Sequence, residues 1–341
     1  MPSPVPVTRL LPRDFGLRLG ALSSPLSRHA GASTLRVPAN DSHGKLARRL
    51  WSSVVQWREL RGLEPIGSGG FGSVFKGTYF GETVAVKHVR RARNKLASRQ
   101  SFWAELNAAH LRHDNLVRVI AATTTTTTAT RTLSEEREDG EGHVGTILME
   151  FAGDLNLQQV IYGAAEPLPS ELCVRYAADI ARALCHLHAH GVVHLDLKPA
   201  NVLVSRDGVC KLADFGCSLQ LGLDHEARAR EIGGTYTHRA PELLKGERVT
   251  VQADIYSFGV TLWQLLTREP PYGGERQHVI YAVVAYALRP DLDREVLRRS
   301  AGGRACADLL SRCWSAEPNR RPSADELIPE LRAVSELGFK G

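Results

Sequence analysis

The sequence predicts an α+β chain, strand-rich in its first half and helical in its second. Two observations carry this. Val74-Phe-Lys-Gly-Thr-Tyr-Phe-Gly-Glu-Thr-Val-Ala-Val-Lys87 reads as two apolar, β-branched runs joined by a turn around Gly81. Beyond Glu171 the apolar spacing becomes helical: Leu172, Tyr176, Ile180, Leu184 and Leu187 share one broad face, and Gly191 follows as a C-cap. With 341 residues and 43% hydrophobic content, the chain can bury one large core or two ordinary ones. No run approaches the roughly 18 apolar residues of a membrane span, so no membrane partner is expected.

Residues 1–59 are expected to form a largely disordered tail. Pro2, Pro4, Pro6, Pro12, Pro25 and Pro38 break any regular periodicity there. The tail is rich in Arg and Ser and poor in acid, as transit peptides are, but its prolines interrupt an amphipathic helix. From Leu60 the character changes. Gly67-Ser68-Gly69-Gly70-Phe71-Gly72 fits G-x-G-x-x-G. In a dinucleotide-binding domain that pattern opens a helix. Here it runs through Ser73 into the β-run at Val74, so it predicts a glycine-rich hairpin whose backbone can approach phosphates without Cβ in the way. Ser98 to about Arg112 reads as a helix carrying Glu105, Leu116–Ala121 as a strand, and Thr146–Phe151 as the next strand. Between those strands, residues 123–143 hold a Thr run followed by Glu135, Glu136, Glu138, Asp139 and Glu141. A segment so poor in large apolar residues cannot offset its ordering entropy, and a flexible surface insertion is expected.

The net charge of +6 admits a nucleic-acid partner. No basic cluster interleaves with aromatics, so none is expected, and the charge reflects frequent Arg. Cys173, Cys185, Cys210, Cys217, Cys306 and Cys313 make no C-x-x-C pair, which argues for reduced thiols rather than a zinc site. His186, His188 and His190 suggest a metal cluster, but a spacing of two points helical side chains in divergent directions.

The chemistry lies further along. His194-Leu195-Asp196-Leu197-Lys198-Pro199-Ala200-Asn201 is followed, 18 residues after Asp196, by Asp214-Phe215-Gly216. Phosphoryl transfer needs a carboxylate to receive a hydroxyl proton, and oxygen ligands to hold a metal on the phosphates. Asp196 suits the first task; Asn201 and Asp214 suit the second. In order and spacing, these motifs and the glycine-rich hairpin resemble the eukaryotic Ser/Thr protein kinase family, from about Leu60 to about Leu331.

That resemblance implies a two-lobe fold: a small antiparallel β-sheet lobe with one regulatory helix, and a larger, mainly α-helical lobe. It implies a kinase domain over 60–335, with the 123–143 insertion in its small lobe and an activation segment over 214–242. ATP and Mg²⁺ are the implied cofactors. Lys87, in Val84-Ala85-Val86-Lys87, would hold the α- and β-phosphates, with Glu105 as its ion-pair partner. Backbone groups of Glu150 and Ala152 would bind adenine, Met149 would guard the back pocket, and Val74, Ala85 and Leu203 would sandwich the ring. Asp196 would be the catalytic base and Lys198 would neutralise γ-phosphate charge. A lysine two residues after the aspartate is the Ser/Thr pattern. Gly234-Thr235 would select the acceptor, Glu242 of Ala240-Pro241-Glu242 would pair with Arg321, and Asp254 would anchor the catalytic loop.

Some positions depart from the family pattern. Leu195 stands where many regulated kinases carry the Arg that pairs with an activation-loop phosphate, and residues 219–234 contain no Ser, Thr or Tyr. Both halves of that switch are missing. Ala109 is smaller than the residue usual beneath the sheet, and the sequence leaves its effect on the helix's inward pose open. Neutral Ala200 removes the acid that attracts basic peptides. A closer resemblance within the family covers Met1-Pro-Ser-Pro4, Arg99–Asn107, Val160–Ala165, Gly233–Gly246 and Glu275–Tyr286. It implies a cytoplasmic, monomeric MAP kinase kinase kinase that phosphorylates the MAP kinase kinase MEK on Ser in oocyte meiosis, leading to metaphase II arrest. It also implies degradation through the ubiquitin machinery, set by Pro2 and opposed by modification of Ser3. The competing reading is a catalytically inactive scaffold of the same pathway.

Overall fold

The computed structural model describes residues 52–69, 72–90, 95–124, 143–222 and 235–339. Gly70, Phe71, Pro2, Ser3, the body of the insertion and residues 223–234 lie outside them. The first half forms a five-stranded antiparallel sheet: β1 (Leu60–Gly69), β2 (Gly72–Tyr79), β3 (Glu82–Arg90), β4 (Val119–Thr123) and β5 (His143–Glu150), in the order β1-β2-β3-β5-β4. The β2–β3 turn falls at Phe80-Gly81, where both residues have positive φ, 51° and 83°. Such a two-residue turn matches the strand twist, and glycine adopts that backbone at little cost. Packing begins before Leu60. Ser52 bridges to Ala121, and Val55 is buried with Phe75, Tyr79, Val84, Val86 and Leu148.

Helix α1 (Lys95–Ala108) lies against the sheet and ends four residues earlier than the sequence suggested. Leu111 and Leu116 continue the apolar pattern past its end, but they are buried in the cluster of the helical half instead. The strand predicted at Leu116 begins at Val119 for a related reason: Leu116 bridges to Leu212, and Val117 N donates to Leu212 O at 2.9 Å. The connection after α1 is thereby tied to the large lobe.

Past β5, strand β6 (Leu155–Asn156) leads into helix α2 (Leu157–Gly163). Asn156 and Gln159 form a reciprocal capping box that satisfies two helix-start N–H groups. Helix α3 (Ser170–Ala189) matches its predicted span within one residue, and Tyr176, Ile180, Leu184 and Leu187 are all buried. Short strands β7 (Val192–Val193), β8 (Val202–Val204), β9 (Cys210–Leu212) and β10 (Leu219–Gln220) follow. They hold the loops that bear Asp196 and Asp214. Helices α4 (Pro241–Lys245), α5 (Gln252–Thr267), α6 (Arg276–Ala285), α7 (Glu295–Arg298), α8 (Ala301–Cys313) and α9 (Ala324–Leu337) complete the lobe. From Ala253 to Leu266 every residue of α5 is buried, so it is the central helix that the others surround. Fully burying a side chain such as Phe258 contributes about 1.5–3 kcal/mol of apolar transfer. Arg321 and Glu242 form a two-pronged pair at 2.6 and 2.8 Å, both buried, pinning α4 to the segment before α9. The fold is the two-lobe α+β arrangement expected.

Candidate active site

Between the sheet and the helical lobe lies a cleft of about 410 Å³. Of the residues expected at the nucleotide and metal sites, Gly67, Ser68, Gly72, Val74, Ala85, Lys87, Glu105, Met149, Glu150, Ala152, Asn201, Leu203 and Asp214 line it. Strand register explains much of this. Val74 sits opposite Lys87 across β2 and β3, and Ala85 opposite Met149 across β3 and β5. Gly72 has no room for a side chain, since a Cβ there would come within 1.9 Å of the His88 carbonyl oxygen. Asp196, Lys198 and Ser73 do not line the cleft. Asp196 and Lys198 stand beside it, toward Thr235.

Lys87 is the electrostatic centre of the cleft. Its Nζ contacts Glu105 Oε1 and lies 2.8 Å from Asp214 Oδ1. Burial works against the lysine's charge, but the two carboxylates outweigh it and hold its pKa above the ordinary lysine value. Burial likewise pushes the Asp214 carboxyl up, yet Lys87 prevails and holds it at about 2. Glu105 is pushed up by burial, with Lys87 opposing. Glu105 Oε2 also accepts from Phe215 N at 3.3 Å, so α1 is joined both to Lys87 and to the turn after Asp214. That turn packs close: a Cβ on Gly216 would meet Ser101 Oγ at 2.3 Å. Ala109 is buried, and α1 stands inward despite its small side chain.

Asp196 is held by three donors. Its Oδ1 accepts from Thr235 N at 2.9 Å; its Oδ2 accepts from Lys198 Nζ at 2.8 Å and Asn201 Nδ2 at 2.9 Å. Lys198 Nζ also donates to Thr235 Oγ1 at 2.5 Å. The loop is fixed from below by buried Asp254, whose two oxygens accept from Leu195 N and His194 N, each at 2.8 Å. Leu195 needs that support: it is buried with φ at 66°, a left-handed backbone that costs a non-glycine residue about 1–3 kcal/mol. His188 joins Asp254 at 3.0 Å, while His186 stacks between His113 and His190. Among the described residues, no three His, Cys, Asp or Glu side chains gather as a metal cage.

The donor set between Asp214 and Asn201 fits a hard divalent cation. Asn201 spends its Nδ2 on Asp196, which leaves Oδ1 as an acceptor, and Asp214 Oδ2 makes no hydrogen bond to the described residues. One carboxylate and one amide oxygen, completed by phosphate and water oxygens, suit Mg²⁺ better than an all-protein cage would.

Several cleft features escaped sequence reasoning. Asp154 Oδ1 receives Lys76 Nζ at 2.8 Å, and that ammonium also lies 4.2 Å from the Phe151 ring centre, spanning β2 and the segment after β5. No local spacing signals this pair. The Glu150 side chain accepts from Arg118 N and Lys211 Nζ, both at 3.0 Å, so the hinge carboxylate is braced from either lobe. Asn156 and Gln159 also line the cleft; their N-x-x-Q pattern was the one available signal. Cys217, next after Gly216, is half-buried. Burial, then Asp196 and Asp214, push its thiol up to about 12.

Residues 60–330 match the protein kinase domain family. With its two lobes and the cleft between them, the chain belongs to that family, and it is a serine/threonine-protein kinase. It is 50% identical to the serine/threonine-protein kinase mos of Xenopus laevis over 344 residues, covering 97% of this chain and 92% of that protein. It is 46% identical over 358 residues to serine/threonine-protein kinase mos of Gallus gallus, covering 98% and 99%. For the proto-oncogene serine/threonine-protein kinase mos of Sus scrofa, identity is 48% over 357 residues, covering 99% and 100%. Membership implies use of ATP with a divalent metal, and protein substrates. No helix among the described residues is long and apolar enough to cross a membrane.

Proposed function

We propose that this kinase transfers the γ-phosphoryl group of ATP to serine on the MAP kinase kinase MEK, as a MAP kinase kinase kinase in oocyte meiosis. The observation that carries the chemistry is the triple anchoring of Asp196 by Lys198, Asn201 and Thr235, beside the Lys87–Glu105–Asp214 cluster. An anchored carboxylate can orient a serine hydroxyl and accept its proton without first reorganising. Lys198 lies where it can neutralise charge on the transferring group, and Lys87 where it can hold the inner phosphates. Asn201 and Asp214 are the oxygens for Mg²⁺, which supplies charge neutralisation on the phosphates when bound. Backbone at Gly67, Ser68 and Gly72, which lines the cleft, would cover the phosphates. Val74, Ala85 and Leu203, with Met149, Glu150 and Ala152, line the part of the cleft that would hold adenine.

The reaction rests on this geometry. MEK, the meiotic setting, the cytoplasmic location, the monomeric state and ubiquitin-dependent control through Pro2 and Ser3 rest on the sequence resemblance alone. The reading is tested by phosphate incorporation into catalytically dead MEK, with mapping of the modified sites. Asp196→Asn, Lys87→Met and Asp214→Asn are each expected to retain below about 1% of activity, since each removes several kcal/mol of transition-state stabilisation. Near-normal turnover by folded Asp196→Asn protein would overturn the enzyme reading. Labelling of MEK at no serine would overturn the substrate.

A further inference from the structure

A chain of hydrogen bonds runs from the surface of α2 to the catalytic loop, through side chains that the transfer itself does not use. It starts at Tyr162, which is 42% exposed. The Tyr162 hydroxyl accepts from Gln264 Nε2 at 2.6 Å, and Gln264 is buried in α5. Gln264 Oε1 is thereby turned toward His238, 3.0 Å from its Nε2. An amide oxygen only accepts, so the ring donates from Nε2, and its Nδ1 accepts from the Thr237 hydroxyl 3.0 Å away. Burial lowers the His238 pKa to about 4, which keeps the ring neutral and able to accept at neutral pH. Backbone carries the chain onward. His238 N donates to Thr235 O at 3.3 Å, and Thr235 N donates to Asp196 Oδ1 at 2.9 Å. Both halves of the chain are braced from α5. Arg268, at its end, donates from Nε to Ile161 O at 2.8 Å and holds α2 where Tyr162 meets Gln264. Ser257 Oγ donates to His238 O at 2.8 Å and fixes the turn Tyr236–His238.

We propose that Tyr162 is a positioning residue: acting through Gln264 and His238, it sets the turn from which Thr235 orients Asp196 toward the acceptor hydroxyl. This rests on Asp196 being the catalytic base. The Gln264 amide is the member that can change state. With the Tyr162 oxygen in place, Nε2 has its acceptor and Oε1 faces His238. Without that oxygen nothing distinguishes the two ends of the amide, and Nε2 can turn toward a ring nitrogen that is itself a donor. The bond from His238 to α5 is then lost or reversed, and the turn loosens. A network with one such member has the two discrete arrangements that coupling between distant groups requires.

The test uses the full chain with ATP, and catalytically dead MEK as the phosphate acceptor. Tyr162→Phe keeps the ring and removes only the oxygen. Its kcat is expected to fall about three- to tenfold, as the loss of one hydrogen bond allows, with the KM for ATP within about twofold of wild type. Gln264→Leu should lose at least as much. The double variant should lose no more than Gln264→Leu alone, because the two residues act in series. Proton NMR adds a readout that ring packing alone would not move. The wild-type protein should show a slowly exchanging imidazole N–H, assigned by its absence from His238→Gln. Its exchange should quicken at least about tenfold in Tyr162→Phe. An unchanged kcat in Tyr162→Phe, or an unchanged exchange rate, would overturn the proposal. So would losses that add in the double variant; if Gln264→Leu does not fold, the imidazole signal in Tyr162→Phe decides. Failure of the wild-type protein to label MEK would instead overturn the substrate reading beneath, and the same signal would still decide whether Tyr162 holds His238.

Discussion

Replacing Asp254 by Asn tests how the catalytic loop is held. The Asp254 side chain is fully buried and accepts two backbone N–H groups, from His194 and Leu195, each at 2.8 Å. Burial opposes its charge, but His188, His194 and the backbone donor at His194 prevail, and its pKa lies below the ordinary carboxylate value. Hydrogen bonds to a charged acceptor contribute about 1.5–3 kcal/mol each. Asn retains one acceptor oxygen and turns an NH₂ toward the other N–H. One charge-assisted bond is lost and a buried donor goes unpaired, for a cost of about 2–4 kcal/mol. The left-handed backbone at Leu195 then relaxes and carries Asp196 away from Lys198 and Asn201. Urea unfolding of the full chain, followed by tryptophan fluorescence, should show that loss, and kcat should fall at least about tenfold with little change in the KM for ATP. A stability change below about 1 kcal/mol with kcat within about twofold of wild type would refute the anchoring argument.

Buried His238 should make the protein acid-sensitive. Burial lowers its pKa from 6.5 to about 4, so below pH 6.5 the unfolded chain takes up a proton that the folded chain refuses. Stability should fall by about 3 kcal/mol between pH 6.5 and 4, and the slope should be largely lost in His238→Gln, as read by urea midpoints across that range. His113 and His186, also lowered by burial, add to it with the same sign. With Leu195 in place of an arginine and no hydroxyl residue in 219–234, phosphatase treatment should leave most of the activity intact; collapse would mean an unrecognised phosphate switch. Ser3→Ala should shorten cellular half-life, and an unchanged half-life would remove Ser3 from the control of abundance.

The order of strands and helices was legible because the periodicities of β2, β3 and α3 are unbroken. Element ends were less so. Leu111 and Leu116 extend the apolar pattern of α1, yet partners in the helical lobe claim them, and no local spacing encodes a contact with Leu212. At the site, residues within one motif came together as a group, Asp196 with Lys198 and Asn201, and Lys87 met Glu105 18 residues on. The Lys76–Asp154 pair and the Glu150 brace link residues 78 and 61 positions apart, and only the folded chain brings them together. Glu150 was expected to act through its backbone; its carboxylate proves to be occupied as well.

Cys217 has a consequence for inhibitor chemistry. It follows the Asp214-Phe215-Gly216 turn directly, a position that invites an electrophilic warhead. Burial, then Asp196 and Asp214, push its thiol up to about 12, so at neutral pH it is held as the un-nucleophilic thiol. Acrylamides and mild peroxides alike should therefore react slowly there. Reversible ligands filling the space between Met149 and Leu203 are the better route to selective blockade, and oxidative stress should spare this turn while more exposed thiols elsewhere in the cell are consumed.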